Sequence, residues 1–385
     1  MRSEKAMDLH NGITEGVIWK QLLKFFFPIV LGTFFQQLYN TADAIVVGNF
    51  VGKEALAAVG GSTGTLINLL VGFFVGLSSG ATVIISQHYG ANDPDGVSRS
   101  VHTAVAMSLL GGVALSVLGY LFTPLGLRMM NTPQDVVGGA TTYMRIYFIG
   151  VIFVLIYNIG SGILRAIGDS RRPLYVLIFC CLCNVVLDIL FVKAFRMGVA
   201  GAAVATVITE AVSSLVLLVI LLRSRDSYRL ILRKIRLDLP LLGDILRIGF
   251  PAGLQSVMYA VSNVFIQTNI NAFGTDVVAG WTAYGKIDSL FWMVMDAFGI
   301  SITTFTGQNI GARKLDRVRQ GIRTCSLMAF GFSFALSGLL FVFGDQIVRL
   351  FNSDAGVVAA AGEMMRCTYP YFFTYVLICV LSGAM

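Results

Sequence analysis

Charge is the scarcest property of this 385-residue sequence: only 13% of its residues are Asp, Glu, Lys or Arg. A soluble domain carries about 25%, so this chain cannot face water over a whole surface. Proline is scarce too, with 8 residues against 41 glycines. That excludes proline-rich disordered chains and collagen-like chains, which need far more proline or a strict glycine period. No zinc or redox spacing links the six cysteines. Cys180, Cys181, Cys183, Cys325, Cys367 and Cys379 all fall in apolar stretches and read as small packing residues. His10, His88 and His102 show no metal-ligand spacing, so no metal site is expected. A nucleotide-binding glycine loop is missing, as is any convergent set around a nucleophile. Neither an enzyme nor a bound cofactor is expected. The polar stretch from Met1 to Gly16 is unlike a cleavable signal.

What the chain has is apolar length. Hydrophobic residues make up 56%, and they are gathered in blocks. A membrane-spanning helix needs about 20 mostly apolar residues. Ten blocks meet that length, near 21–47, 55–87, 101–127, 138–163, 173–195, 198–222, 243–273, 277–306, 322–351 and 357–384. A transmembrane barrel would show short alternating strands instead. The chain therefore reads as an all-α polytopic membrane protein.

The net charge of +7 does not point to nucleic acid, because the basic residues sit in short loops between the blocks. With the N-terminus in the cytoplasm, twenty of the 28 basic residues fall on the cytoplasmic side and five on the other. That bias sets the orientation by the positive-inside rule.

The sequence also repeats. Pro28 and Asn40 match Pro251 and Asn263 at an offset of 223. Gln87-His88-Tyr89-Gly90-Ala91 matches Gln308-Asn309-Ile310-Gly311-Ala312 at 221, and Asp95, Val97, Arg145 and Ser161-Gly162 keep that offset with Asp316, Val318, Arg366 and Ser382-Gly383. Six spans separate the copies, so both halves point the same way. A pseudo-twofold axis along the membrane normal follows. The expected organisation is an N-terminal lobe over 1–222, a basic cytoplasmic linker over 223–240 and a C-terminal lobe over 241–385. Met385 corresponds to Leu164, so a natural protein of twelve spans is expected, of which this chain carries ten. The linker holds Arg223, Arg225, Arg229, Arg233, Lys234 and Arg236. It suits a helix on the anionic inner leaflet and a solvated tether equally.

Charge inside the bilayer is costly and marks function by default. Six acids fall within blocks: Asp43, Asp188, Glu210, Asp288, Asp296 and Glu363. Asp43 follows Gln36, Gln37, Tyr39 and Asn40 on the first block, a polar run that should face a cavity. Pro28 removes one backbone hydrogen bond earlier in that block and gives a bending point. Asn184 and Asp188 are four apart, hence on one helix face. Asn158 and Thr206 on neighbouring blocks can join them. Such a pocket can take up a proton or coordinate a small hard cation, and the residues alone leave both open. In the eighth block Lys286 can pair with Asp288. Asp296, with Tyr259 and nearby aromatics, suits an aromatic cation. Arg145 and Arg366 read as snorkelling side chains.

Several of these motifs carry a resemblance. They are Tyr39-Asn40-Thr41-Ala42-Asp43 with Gly48-Asn49-Phe50-Val51-Gly52, Gln87 to Ala91, Arg165-Ala166-Ile167-Gly168-Asp169, and Asn184 with Asp188. Together they resemble the multidrug and toxic compound extrusion (MATE) transporters, within them the bacterial DinF-like and related multidrug branches. The resemblance spans essentially the whole chain. It implies two homologous helical lobes, here six plus four of an expected six spans, in a V around a central cavity. It implies an antiporter of the bacterial plasma membrane, exporting mostly cationic amphipathic compounds in exchange for protons or sodium, with lipids around a monomer. It places the cation-coupling site on Asp43, Asn158, Asn184, Asp188 and Thr206, and the bending proline at Pro28. Gln36, Tyr39, Asn40, Tyr259, Asp288 and Asp296 are the expected substrate-cavity residues. A helix 7 glutamate and a helix 10 aspartate of another branch have no counterpart: Gln255 to Tyr259 contains no acid and the tenth block has only Glu363. A lipid or lipid-linked saccharide flippase of the same superfamily is the alternative. The six in-membrane acids, against three basic residues, weigh against its more basic cavity.

Overall fold

Backbone amides in hydrocarbon must be satisfied within the protein, and long helices do this. A computed structural model describes residues 13–130, 132–270, 273–349 and 354–384. Arg2, Lys5, His10 and Met385 lie outside the described residues. The helices are α1 (Ile18–Phe50), α2 (Lys53–Gly60), α3 (Ser62–Gly90), α4 (Pro94–Met129), α5 (Gln134–Ala166), α6 (Arg171–Asp188), α7 (Val199–Arg223), α8 (Leu239–Ile270), α9 (Thr275–Gly311), α10 (Leu315–Arg349), α11 (Ala355–Thr368) and α12 (Phe373–Ala384). A π-helical turn, Ile189–Ala194, continues α6. There is no strand among the described residues.

Each of the ten expected blocks is helical over its described residues, apart from short breaks. Among the described residues, eight stretches are long and apolar enough to cross a membrane, with α2 and α3 counted together as one. A ninth exists if α11 and α12, bent by 55° at their junction, form one span. The bend falls at Tyr369-Pro370-Tyr371, a 3-10 turn, where proline cannot donate an amide. The helix over the seventh block, α8, is 32 residues long but misses the same apolar content. Its Gln255, Ser256, Tyr259, Asn263, Gln267 and Asn269 account for that.

Contacts divide the chain into two units: Leu31–Val261, and the residues up to Val30 together with Ser262–Met385. Both divides fall inside helices, not in the basic linker. α1 therefore gives residues up to Val30 to one unit and the rest to the other, and α8 is shared at Val261. Pro28, inside α1, stands two residues before the first divide.

The Leu31–Val261 unit holds two buried apolar clusters. One gathers Ile85, Val101, Ile163, Leu217 and Ile245. The other gathers Val47, Leu127, Met144, Phe148 and Val151. Glycines let α3 and α8 touch backbone to backbone. A Cβ on Gly76 would meet the backbone of Gly253, and one on Gly80 would meet Ile245 O and Gly249. This is the small-residue packing of membrane helices. At the start of α4, Asp93 caps the helix by accepting from the Gly96 N–H at 2.9 Å, with His88 Nδ1 at 2.9 Å. The Gly96 bond and His88 hold the Asp93 carboxyl below its usual range.

The basic linker is neither a long surface helix nor a loose tether. Its one helical turn is the 3-10 stretch Leu232–Lys234. Three contacts strap it to α4. The Ile231 N–H donates to His102 Nε2 at 3.0 Å, the Asp238 N–H to Thr103 Oγ1 at 3.3 Å, and Arg99 pairs with Asp238 at 2.7 Å.

The second unit buries Phe26, Phe291, Met295, Phe298 and Val376 together, with Phe26 stacked on Phe298 at 4.3 Å. Arg317 donates to the carbonyls of Glu15 at 2.7 Å and Gly16 at 2.9 Å, which anchors the segment before α1. The six cysteines are free thiols.

Two outcomes follow. Gly80→Val forces α3 off α8 and destabilises the protein by about 1–3 kcal/mol, read as a lower Tm of the detergent-solubilised protein. Arg99 holds the Asp238 carboxyl below its ordinary value, so the strap's ion pair is intact above about pH 4. It is lost only as pH falls through the lowered value. Asp238→Asn should therefore speed hydrogen exchange of the Ile231 and Asp238 amides at neutral pH, and change it little under strong acid.

Candidate functional site

Four helices of the Leu31–Val261 unit bring carboxylates together. α1 supplies Asp43 and, one turn earlier, Tyr39. α6 supplies Asp188 and, one turn earlier, Asn184. α7 supplies Thr206, and α5 supplies Tyr143. Helical spacing of four residues puts each pair on one face. Asp188 and Asn184 are fully buried, and Asp43 and Thr206 are more than nine-tenths buried.

Asp43 and Asp188 are close enough to repel one another. Both act on the Tyr143 phenol, and Asp43 also acts on Tyr39. The Thr206 hydroxyl lies beside the Tyr39 and Tyr143 phenols but makes no hydrogen bond of good geometry. Asp188 ends α6, where the π-helical turn begins. Such turns are rare and concentrate at functional sites.

The polar atoms here are conspicuously unmatched. Asp43 Oδ1, both oxygens of Asp188, Asn184 Oδ1 and Nδ2, and Thr206 Oγ1 are buried without a hydrogen-bond partner. Leaving such groups unpaired costs about 1–3 kcal/mol each, more for charged groups. Five of these atoms are oxygens, and only two side chains are acidic. That donor set fits a proton or one small hard monovalent cation, for which oxygen is the preferred ligand. It does not fit a zinc-type centre, and no cluster of three or more His, Cys, Asp or Glu suited to a metal occurs among the described residues.

Asn158 is placed differently. It is half-buried, and its amide donates to Val154 O of its own helix at 2.8 Å. None of the contacts joining the other four residues includes it. Of the expected cavity residues, Gln36 and Asn40 are exposed and Tyr259 is 44% exposed. Asp288 and Asp296 belong to the other unit. Asp288 accepts from Trp292 Nε1 at 2.6 Å, so its partner is the indole one turn on, not Lys286, whose neighbouring position points it off that face. Asp296 is exposed. Arg366 pairs with Asp345 at 3.3 Å and Arg145 lies 5.0 Å from the Tyr120 ring centre, so both have protein partners.

Sequence reasoning passed over Tyr143 and Tyr147, and it gave Glu210 no role. The signal was available in the spacing: Tyr143 and Tyr147 are four apart, and Glu210 follows Thr206 by four.

The model of the family described as MatE matches twice, over residues 28–190 and 251–385. The chain belongs to the MatE family. Both matches begin at the repeat-related prolines, Pro28 and Pro251. Among MatE relatives, the probable multidrug resistance protein YpnP of Bacillus subtilis is 31% identical over 96% of this chain and 82% of its own length. YoeA of the same organism, also a probable multidrug resistance protein, is 30% identical over 96% and 81%. A solved multidrug resistance MATE transporter of the MOP superfamily, in an outward-facing conformation, aligns with a TM-score of 0.87. It is 26% identical and covers 97% of this chain and 85% of its own. A MATE structure in a bent conformation aligns at 0.85, with 27% identity and coverage of 97% and 85%. This MatE chain is a multi-pass membrane transporter and not an enzyme, as the resemblance implied.

Removing one charge from the pair should stabilise the protein when no cation is supplied. Asp188→Asn is expected to raise Tm at low sodium and high pH. Thermal unfolding is expected to show a rise in wild-type Tm on adding sodium or mild acid, and no such rise in Asp188→Asn.

Proposed function

We propose that this transporter exports amphipathic, mostly cationic compounds across the bacterial plasma membrane in exchange for protons or sodium ions. The observation that carries the reading is the buried, unpartnered Asp43–Asp188 pair with Asn184 and Thr206. Two like charges in one dry site are stabilised together only by a positive partner. A cation therefore binds the conformation that holds the carboxylates together more tightly than one that parts or hydrates them. Coupling requires that difference in affinity between the two states.

Asn158 of α5 joins the coupling set through its amide oxygen, its amide nitrogen being held by Val154 O of its own helix. Pro28 is the hinge of α1: its missing amide loosens the helix next to the point where α1 passes from one unit to the other. Neutralising Asp43 further along the same helix favours one setting of that hinge. Gln36, Tyr39, Asn40, Tyr259, Asp288 and Asp296 serve the transported compound through charge and aromatic contact. The acids in the apolar blocks outnumber the basic residues there, which suits positive cargo. The lobes follow the 1–222 and 241–385 repeat, joined by the 223–240 strap. The protein works as a monomer with its N-terminus in the cytoplasm, since the basic loops cluster on that side.

The test is dye efflux from vesicles containing the full-length protein under an imposed proton or sodium gradient. Asp43→Asn is expected to lower gradient-driven efflux by about tenfold or more, within the usual range of coupling energies. Undiminished efflux in Asp43→Asn overturns the reading.

A further inference from the structure

The Asp43–Asp188 site has a second floor. Four residues along a helix is about 6 Å. Consecutive spans run in opposite directions, so a four-residue step toward the basic ends goes backwards on α1 and α6 and forwards on α5 and α7. From Asp43 it reaches Tyr39, and from Asp188 it reaches Asn184. From Tyr143 it reaches Tyr147, and from Thr206 it reaches Glu210. The step thus lands on a polar residue on every one of the four helices.

The electrostatics agree with the spacing. Glu210 acts electrostatically on Tyr39 of α1, on Tyr147 and Tyr157 of α5 and on Cys180 of α6. Tyr39 feels both Glu210 and Asp43, so its phenol stands between the two floors. Glu210 is the twelfth of the 25 residues of α7, near the middle of a span. Its carboxylate accepts from one hydroxyl, Ser213 Oγ, at 3.4 Å. It is absent from the described ion pairs. Cations of the elements packed on α7 have other partners: Lys193 of the π-helical turn lies over the Phe50 ring, Lys53 of α2 pairs with Glu54, Arg145 of α5 lies over the Tyr120 ring, Arg165 of α5 interacts with the Tyr157 phenol, and Arg172 of α6 pairs with Asp169. Asn184, on the same floor, is fully buried with both amide atoms unpartnered.

A carboxylate at mid-span without a cationic partner is costly and marks an ion pathway or binding site. We propose that Glu210, with Tyr39, Asn184 and Tyr147, forms a second station for the coupling cation, one helical turn from the Asp43–Asp188 pair. When the cation is a proton, the transfer balances simply. A carboxylic acid of the pair gives its proton to the Tyr39 hydroxyl as that hydroxyl passes its own to the Glu210 carboxylate. One carboxylate is regenerated and takes up a second proton, one acid is formed at Glu210 and the phenol is unchanged. When the cation is sodium, the Glu210 carboxylate, the two phenol oxygens and the Asn184 carbonyl oxygen are its ligands. The inference rests on the cation-coupled reading above and adds one cation site to it.

The experiment uses the full-length protein in proteoliposomes, comparing wild type, Glu210→Gln, Glu210→Asp and Asp188→Asn. It measures dye exported per proton and per sodium ion, and dye affinity. Glu210→Gln is expected to exchange one cation fewer per dye molecule and to lower gradient-driven accumulation by about tenfold, with dye affinity and Tm kept. Glu210→Asp restores the wild-type stoichiometry. The proton and sodium arms identify which cation the station holds. A Glu210→Gln protein with wild-type stoichiometry and accumulation overturns the second station. If Asp188→Asn is also unchanged, the coupling reading itself falls; if Asp188→Asn alone is impaired, only the second station does.

Discussion

Two buried carboxylates that repel one another, in none of the ion pairs among the described residues, set the terms for the rest of this unit. Such a pair does not persist as two bare charges. Around it the Asn184 amide, the Thr206 hydroxyl and the Tyr39 phenol are short of partners, a set of groups that suits the proposed positive guest. The apolar clusters on either side keep the residues dry and in register. The π-helical turn after Asp188 frees the end of α6 from regular geometry at that point. Fold and chemistry meet there, since burial is what makes the pair responsive to a small ion.

The proposed conformational element lies on the same helix as one member of the pair. α1 carries Pro28 near its divide between two packed units and Asp43 four turns further on. Asp43 and the proposed hinge at Pro28 are thus joined by continuous helix. The family match beginning at Pro28 and again at Pro251 places that proline at the head of both repeats.

Much of this was legible in the sequence, and the reasons differ by residue. The spans were legible because hydrocarbon demands long apolar helices, and the repeat because two halves keep one register. Asp43, Asp188, Asn184 and Thr206 stood out because polar side chains in apolar blocks are rare. Glu210 was visible on the same ground, but its use depends on phenols from α1 and α5, and a tertiary neighbour is not encoded in local spacing. The Asp288–Trp292 bond replaced the expected Lys286 pair because residues two apart lie on different helix faces. The strap of the linker on α4 was hidden for a similar reason: it runs through backbone amides of Ile231 and Asp238, which no composition rule reveals. The bend between α11 and α12 needed coordinates, although Pro370 marked the place.

The central claim is that a small cation neutralises the Asp43–Asp188 pair directly. Infrared difference spectroscopy of the full-length protein in lipid tests it most closely. Adding sodium, or lowering pH, should change the carboxylate stretching bands of the wild type, and that change should be lost in the Asp43→Asn, Asp188→Asn double variant. The same difference spectrum in the double variant as in the wild type would contradict the account.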